Sequence, residues 1–163
     1  MGVITPIIVA VGRQQEIRQR KPFRSLRQEA HLGLQRTAAL LEHAFENALK
    51  PHGITATQYN ALRILRGAGA GGLCRNEIRE RLVRQVPDVT RLLDRLEDLQ
   101  LVSRTRGGDD RRFVSATITK RGLELLDDLD DRIEEIHQEQ LGHLSREQLR
   151  TLIDLLAAVR NRE

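Results

Sequence analysis

The sequence predicts a mainly α-helical protein with one small β-hairpin. Three observations predict this fold class. Apolar residues recur every three to four positions along most of residues 23–159, which is the period of an amphipathic helix. Between residues 101 and 119 the period changes to two, as it does in half-buried strands. The segment Gly107–Asp110 (GGDD) interrupts that stretch with residue types that are typical of a hairpin turn.

The length and composition bound the class of protein. A chain of 163 residues corresponds to one domain or one compact subunit. Aromatic residues make up only 2%, which argues against stacking platforms for single-stranded nucleic acid. The one cysteine, Cys74, excludes an internal disulfide and a multi-cysteine zinc site. Because one cysteine fits a reducing compartment and no apolar stretch approaches the roughly 20 residues of a membrane span, we expect a cytoplasmic protein without a membrane partner.

The first helix is predicted after an N-terminal extension, residues 1–21, that we expect to be disordered. Pro22 suits the first position of this helix, because the missing N–H of a proline would have no partner there. Apolar residues then repeat at helical spacing over Phe23–Leu49. Pro51 and Gly53 predict the end of the helix.

The next two helices are shorter. Thr55 and Gln58 have the spacing of a capping box and predict a second helix with three inward positions, Tyr59, Leu62 and Leu65. The run Gly67–Gly72 (GAGAGG) predicts a flexible break. A third helix is expected over Cys74–Leu82, and Cys74 is expected to be a buried structural residue.

A fourth helix and the hairpin follow. Pro87 suits the first turn of this helix. Its predicted buried stripe comprises Val89, Leu92, Leu93, Leu96 and Leu99. Its predicted polar face comprises Asp88, Arg91, Asp94, Arg95 and Asp98. The two strands of the hairpin are predicted at Leu101–Arg106 and Phe113–Thr119.

Two helices complete the chain. Thr119 is the predicted cap of a long fifth helix over Lys120–Leu141, with Leu123 in its buried stripe and Gly122 weakening its start. Ser145 and Gln148 form a second capping-box pattern, which predicts a last helix ending near Val159. Its apolar residues are expected to face inward: Leu149, Leu152, Ile153 and Leu156.

This order of elements indicates a winged helix-turn-helix over residues 54–119. It is flanked by a helical dimerisation region that comprises residues 22–53 and 120–163. The middle segment carries 12 basic and 8 acidic residues, and every basic one is arginine, whereas residues 120–163 carry 7 basic and 11 acidic residues. Arginine binds phosphate bidentately and reads guanine edges, which suits DNA. Composition alone leaves a functionally neutral arginine-rich surface equally open.

Four short segments carry a family resemblance: Val89–Glu97 (VTRLLDRLE), Leu101–Arg104 (LVSR), Asp110–Arg112 (DRR) and Ile118–Thr119. In order and spacing they resemble the recognition helix and wing of the MarR family of bacterial transcriptional regulators. The resemblance covers about residues 23–160. It implies a homodimer that binds a pseudo-palindromic site in double-stranded DNA, most often as a repressor, and has no enzymatic activity.

The predicted recognition helix supplies the first set of candidate DNA contacts. Such a helix enters the major groove with its N-terminal half towards the bases. The candidates here are Gln85, Asp88, Thr90, Arg91 and Arg95. Arg91 and Arg95 are four residues apart and share a face. The alternative is that they pair with the carboxylates of the same helix on a solvated face.

The predicted wing supplies the second set, which comprises Arg104, Arg106, Asp110, Arg111 and Arg112. A narrow minor groove attracts an inserted arginine. The resemblance assigns that role to Arg112, with Asp110 orienting it through an ion pair. Arg111 has an alternative role, which is to tie the wing to the protein body. A hairpin that carries only surface ion pairs is the alternative for the whole set.

No cofactor and no metal site are predicted. The carboxylates of the fifth helix lie in a charge run of the kind that usually forms a solvated face, and the glycine run lacks the lysine of a phosphate-binding loop. The resemblance implies a small-molecule effector as a further partner, without identifying it. The leading alternative function is a protein-interaction adaptor that uses a winged-helix fold without sequence-specific DNA binding.

Overall fold

The computed structural model describes residues 23–106 and 114–161, apart from the side chains of Arg106 and Val114. These residues form six α-helices and three strands: α1 (Leu26–Leu49), α2 (Ala56–Ala68), β1 (Leu73–Cys74), α3 (Arg75–Arg81), α4 (Val89–Asp98), β2 (Val102–Arg106), β3 (Val114–Ile118), α5 (Lys120–Leu141) and α6 (Arg146–Arg160). The predicted fold class, mainly helical with a small hairpin, is confirmed. The described residues divide into two compact units, one that ends at Leu40 and one that begins at Leu41.

Several predictions fall outside the described residues. They concern the extension at residues 1–21, the helix start at Pro22, the hairpin turn Gly107–Asp110, and the strand residue Phe113.

Three helices begin where their capping residues predict. The Thr55 Oγ1 accepts a hydrogen bond from the Gln58 N–H at 3.2 Å, and the Gln58 Oε1 accepts one from the Thr55 N–H at 2.9 Å. Ser145 and Gln148 form the same reciprocal pair at 3.2 and 2.8 Å. Thr119 caps α5 by accepting the Gly122 N–H at 3.1 Å. These bonds satisfy amide groups that a helix start would otherwise leave without partners.

The first helix begins at Leu26, four residues after the predicted first position, Pro22. The Ser25 Oγ accepts the Gln28 N–H at 3.2 Å, and the Gln28 side chain accepts the Arg24 N–H at 2.8 Å. This Ser25–Gln28 capping pattern, visible in the sequence, was not among the predicted helix starts. The last turns of α1 pack in the core, where Leu49 is fully buried.

The core of residues 41–163 consists mainly of aliphatic side chains. The fully buried large side chains are Leu49, Leu62, Leu65, Ile78, Leu96, Val102, Leu126, Leu129 and Ile136. Each such burial contributes about 1.5–3 kcal/mol relative to exposure. Where α1 meets α2, the Phe45 and Tyr59 rings add an edge-to-face contact with centroids 5.3 Å apart.

The three strands form an antiparallel sheet in the order β1–β3–β2. Leu73 pairs with Ala116, and Val102 pairs with Ile118. The sequence analysis missed β1, because two residues are too few to show a period. Gly72 has φ +62°, and a Cβ atom there would lie 2.6 Å from the Ala116 carbonyl oxygen. The glycine run is therefore more than a flexible break, since its last residue brings the chain against β3.

The connection from α3 to α4 is held by polar contacts. The Val83 N–H donates to the Asn60 side chain at 2.9 Å, and Arg84 pairs with Glu42 at 2.6 Å. Asp88 caps α4, so Pro87 lies before this helix and not in its first turn as predicted.

Several apolar side chains that were predicted to be buried are exposed to solvent in the single chain. Leu99 and Leu123 are both 37% exposed. On α6, Ile153 is 61% exposed, and the helix buries none of its residues. The exposed apolar side chains on α6 leave this helix without a complete covering among the described residues.

Gly122 is buried where α5 passes the sheet. A Cβ atom at this position would collide with the Leu101 carbonyl oxygen and lie 2.7 Å from the Ile118 Cγ1. Glycine disfavours helix, as the sequence analysis noted, but only glycine fits this close approach.

We expect Gly122→Ala to destabilise the protein by about 1–3 kcal/mol, because the added methyl group overpacks the contact with Leu101 and Ile118. Urea unfolding followed by circular dichroism measures this loss. The matched control is Gly67→Ala in α2, where nothing lies within 4 Å of the new methyl group. The control should be stabilised by about 0.5–1 kcal/mol. A Gly122→Ala protein as stable as wild type would contradict the packing argument.

Candidate nucleic-acid interface

Helix α4 presents one apolar and one polar face. Its four buried residues, Val89, Leu92, Leu93 and Leu96, hold it against the core. All five predicted contacts of this region are exposed, namely Gln85, Asp88, Thr90, Arg91 and Arg95. The structure therefore brings these side chains to one accessible surface at and near the N-terminal half of α4.

The N-terminus of α4 is closed by Asp88. The Asp88 Oδ1 accepts the Arg91 N–H at 3.0 Å, so this carboxylate caps the helix. Thr90 lies beside Arg75, the first residue of α3, whose Nη1 donates to the Thr90 Oγ1 at 3.5 Å. The sequence analysis did not single out Arg75. Its position at the start of the helix before α4 was the available signal.

Arg91 and Arg95 form no ion pair within residues 23–106 and 114–161. The alternative, in which the carboxylates of α4 neutralise these arginines, is not observed. The Asp88 carboxylate caps the helix, and Asp94 pairs with Arg104. Two exposed guanidinium groups on one helix face are thus left with their donors available to a ligand.

Arg104 joins the wing strand β2 to the recognition helix α4. Its Nη1 lies 2.7 Å from the Asp94 Oδ1, its Nε donates to the Glu97 Oε2 at 2.9 Å, and its Nη2 contacts the same oxygen. The Arg104 backbone N–H also donates to the Glu97 Oε1 at 3.2 Å. With a side chain only 26% exposed, Arg104 is held by protein carboxylates. The structure thus places this predicted wing contact in a different role, which is to position the wing.

The electrostatics of this cluster agree with its geometry. The hydrogen bonds from the Arg104 side chain lower the pKa of Glu97 below its usual value. The same bonds to Glu97 raise the pKa of Arg104. Both groups therefore remain charged together over a wider pH range than they would apart.

The base of the wing is fixed by hydrogen bonds between the residues that follow α4 and the residues at the start of α5. Gln100 has φ +59°, and its carbonyl oxygen accepts the Thr119 Oγ1–H at 2.8 Å. Arg121 donates to the Gln100 side chain at 3.2 Å, and the Thr119 N–H donates to the Leu101 carbonyl at 3.1 Å. These contacts fix where β2 leaves α4 and where β3 enters α5.

Comparison with known proteins identifies this arrangement. The MarR family model matches residues 54–114. Over 109 residues the chain is 30% identical to the HTH-type transcriptional regulator MhqR of Bacillus subtilis, and the match spans 66% of this chain and 73% of MhqR. A crystal structure of a MarR transcription factor from Planctomyces limnophilus is 42% identical, with a TM-score of 0.66 over 84% of this chain and 99% of that one. The chain belongs to the MarR family.

Two further relatives extend this comparison. YdgJ of Bacillus subtilis, named an uncharacterized HTH-type transcriptional regulator, is 38% identical over 73 residues, and the chain spans 44% of its length and 45% of its own. A cysteine-to-serine mutant of MarR from E. coli, crystallised with operator DNA, is 26% identical, with a TM-score of 0.70 over 77% of this chain and 89% of that one. MarR family members are transcriptional regulators and not enzymes.

The remaining predicted wing residues of this MarR family member are not described. Arg106 lies in β2 by its backbone, and Asp110, Arg111 and Arg112 lie outside the described residues. The segment of the family match includes all four positions. Their roles therefore stay predictions from the resemblance.

Other candidate chemistry lies away from this surface. Cys74 is half-buried at the end of β1, so the prediction of a buried cysteine is wrong. On α5, Glu135 and Glu139 both accept hydrogen bonds from Arg132, at 2.8 and 3.3 Å. The part of the chain that the structure describes contains no group of three side chains placed to bind a metal ion, and none of its helices is long and apolar enough to cross a membrane.

We expect Glu97→Gln to lower stability at neutral pH, because it removes the carboxylate that Arg104 binds most closely. A lowered folded-state pKa contributes stability above the usual value of 4.5, and this contribution disappears as the pH falls through the folded-state pKa. The difference in free energy of unfolding between wild type and Glu97→Gln should therefore be constant above pH 4.5 and vanish in acid. Urea unfolding at a series of pH values measures it.

Arg104→Gln is the matched control for this pH dependence. It removes the partner of Glu97 and keeps the carboxylate, so the Glu97 pKa should return towards its usual value. The free energy of unfolding of Arg104→Gln should then differ from that of wild type at neutral pH, and this difference should vanish in acid. Parallel pH profiles of wild type and both variants would contradict the assignment of the Glu97 pKa shift to Arg104.

Proposed function

We propose that the protein is a homodimeric, sequence-specific repressor that binds a pseudo-palindromic operator in double-stranded DNA. The observation that supports this proposal is the different pairing of the arginines on α4 and on the neighbouring strand β2. Arg104 engages the carboxylates of Asp94 and Glu97, whereas Arg91 and Arg95 are exposed without ion-pair partners among the described residues. A helix that directs free guanidinium groups outwards suits phosphates and guanine edges in a major groove.

The related structure from E. coli supports duplex DNA as the partner, since that protein was crystallised with its operator. In our proposal α4 enters the major groove and Arg91 and Arg95 contact bases or phosphates. Gln85 and Thr90, which lie near the start of α4, contact the DNA backbone. The wing residues Arg106, Arg111 and Arg112 reach the neighbouring minor groove, with Asp110 orienting Arg112. A DNA-binding regulator of this kind acts in the cytoplasm.

The proposal includes release by a small-molecule effector. Such a ligand shifts the equilibrium only if it prefers the arrangement that does not fit the operator. The chain itself identifies no effector class.

Fluorescence anisotropy tests the proposal directly. The full chain is titrated onto the duplex upstream of its own gene and onto a scrambled duplex, at one near-physiological salt concentration. A preference of about a thousand-fold or more for the upstream duplex is expected of a specific regulator. The logarithm of affinity should also fall by about 0.9 per neutralised phosphate per logarithmic unit of salt. If the protein binds neither the upstream duplex nor any duplex selected from a random library, the adaptor function is favoured.

Substitution of Arg91 tests the role of the recognition helix. We expect Arg91→Ala to reduce discrimination between the operator and a mismatched duplex by about 1–3 kcal/mol, because a bidentate base contact is lost. Anisotropy titrations with both duplexes measure this discrimination. The control is Arg132→Ala, which removes the same charge from α5, where the arginine pairs with Glu135 and Glu139. Equal discrimination by wild type and Arg91→Ala would refute the assignment.

The homodimer is proposed from exposed apolar side chains. Of the nine large apolar side chains that the described residues expose, three lie on α1 and three on α6: Leu26, Leu34, Leu40, Ile153, Leu155 and Val159. A monomer rarely leaves such faces open to water. A second copy of the chain covers them by two-fold symmetry, because each copy presents the same faces.

Light scattering tests the dimer. Wild type should have twice the mass of one 18.6 kDa chain at micromolar concentration. Ile153→Lys should shift the protein towards the monomer, because an ammonium group would be buried without a partner. The control is Asp154→Lys, which lies on the polar side of α6 by helical spacing. A monomeric wild type would exclude the dimer, and equal dissociation of both variants would remove α6 from the interface.

A further inference from the structure

A single arginine forms ion pairs between the described part of the DNA-binding region and the long helix α5. The Arg66 guanidinium, in the last turn of α2, donates to both Asp130 carboxylate oxygens, at 2.9 and 3.1 Å. It also donates to Asp127 at 3.3 Å. Among the described residues, Arg66 forms the only ion pairs between residues 54–118 and α5.

The rest of the contact between α2 and α5 lacks directional groups. Leu62, Leu65, Leu126 and Leu129, on the facing sides of the two helices, are fully buried in one core. Aliphatic contacts favour burial without selecting one orientation. A guanidinium that binds both oxygens of a carboxylate does select one, because its two parallel N–H groups match the carboxylate plane.

The electrostatics of the pair support its formation. Hydrogen bonds from Arg66 lower the pKa of Asp130, and those to Asp130 raise the pKa of Arg66. The Arg66 side chain is half-buried, within one helical turn of the core leucines Leu62 and Leu65. The pair therefore stays charged at neutral pH and lies next to the hydrophobic contact that it would orient.

We propose that Arg66 and Asp130 are positioning residues that set the orientation of the DNA-binding region on α5 and thereby the half-site spacing that the dimer accepts. The inference rests on the proposed function, because α5 leads to the dimerisation helix α6 while α2 belongs to the region that carries α4. A rotation of α2 on α5 moves both recognition helices of a symmetric dimer at once. Spacing preference, and not affinity for a half-site, is then the property that the pair controls.

Operators of altered spacing test this role. One inserted or deleted base pair changes the half-site separation by about 3.4 Å and the relative rotation by about 35°. Wild type should prefer its own spacing over both altered duplexes by about tenfold or more, within the usual range of coupling. Arg66→Gln should reduce this preference at least about threefold, while affinity for a single half-site stays within about twofold.

Two comparisons decide whether the pair itself is responsible. Asp130→Asn should reduce the spacing preference in the same direction as Arg66→Gln but by no more, because Arg66 keeps its contact with Asp127. The double variant should add nothing to Arg66→Gln, which already removes both contacts. Arg132→Gln is the matched control, since Arg132 pairs only within α5. The inference is overturned if Arg66→Gln keeps the wild-type spacing preference, lowers affinity equally on every duplex, or behaves like Arg132→Gln.

A measurement without DNA separates failure of this inference from failure of the proposed function. Spin labels at Asp98→Cys on α4 and Asp131→Cys on α5, in a Cys74→Ser background, report the distance between the two elements by double electron–electron resonance. Arg66→Gln should at least double the width of the distance distribution, and Arg132→Gln should leave it unchanged. An unchanged width in Arg66→Gln overturns the inference. A wild type that prefers no operator overturns only the proposed function.

Discussion

The arrangement of the candidate DNA surface depends on where one guanidinium group lies. Arg104 extends from β2 to the polar face of α4 and binds Asp94 and Glu97. This contact does two things at once. It fixes the wing against the recognition helix, and it neutralises two carboxylates that would otherwise repel phosphate near Arg91 and Arg95. The same residue thus accounts for the geometry and for the charge of the surface.

Polar contacts at the edges of an aliphatic core define the angles between elements. The core side chains are leucine, isoleucine and valine for the most part, and their packing favours compactness more than one particular orientation. Arg104 joins β2 to α4, Asn60 holds the turn before α4, and Gln140 donates to the Leu41 carbonyl at 3.1 Å between α5 and α1. Exposed ion pairs contribute only about 0–1 kcal/mol each to stability. Their main effect here is on geometry.

The sequence predicted those features that depend on neighbouring residues. Thr55, Thr119 and Ser145 cap helices because their partners lie three residues away, so the pattern is visible in the chain itself. Features that depend on tertiary contacts could not be predicted. The strand β1 forms only because β3 lies beside it, and Gly122 is required only because Leu101 passes close to it. Ile153 was predicted to face inward and is exposed in the single chain, since helical spacing does not tell whether a face is covered by its own chain or by another.

Composition could not decide the roles of the arginines in residues 54–119, because these roles depend on tertiary contacts. An arginine-rich segment fits both DNA binding and a neutral surface, and only the partner of each side chain separates these readings. Arg66 binds Asp130, Arg84 binds Glu42, and Arg104 binds Glu97, so these three arginines hold the fold together. Arg91 and Arg95 lie on the exposed face of α4, with no ion-pair partner among the described residues. The three pairs occur where elements join, whereas the two arginines on the exposed face of α4 have no ion-pair partner among the described residues. Position therefore gives these two sets of arginines separate tasks.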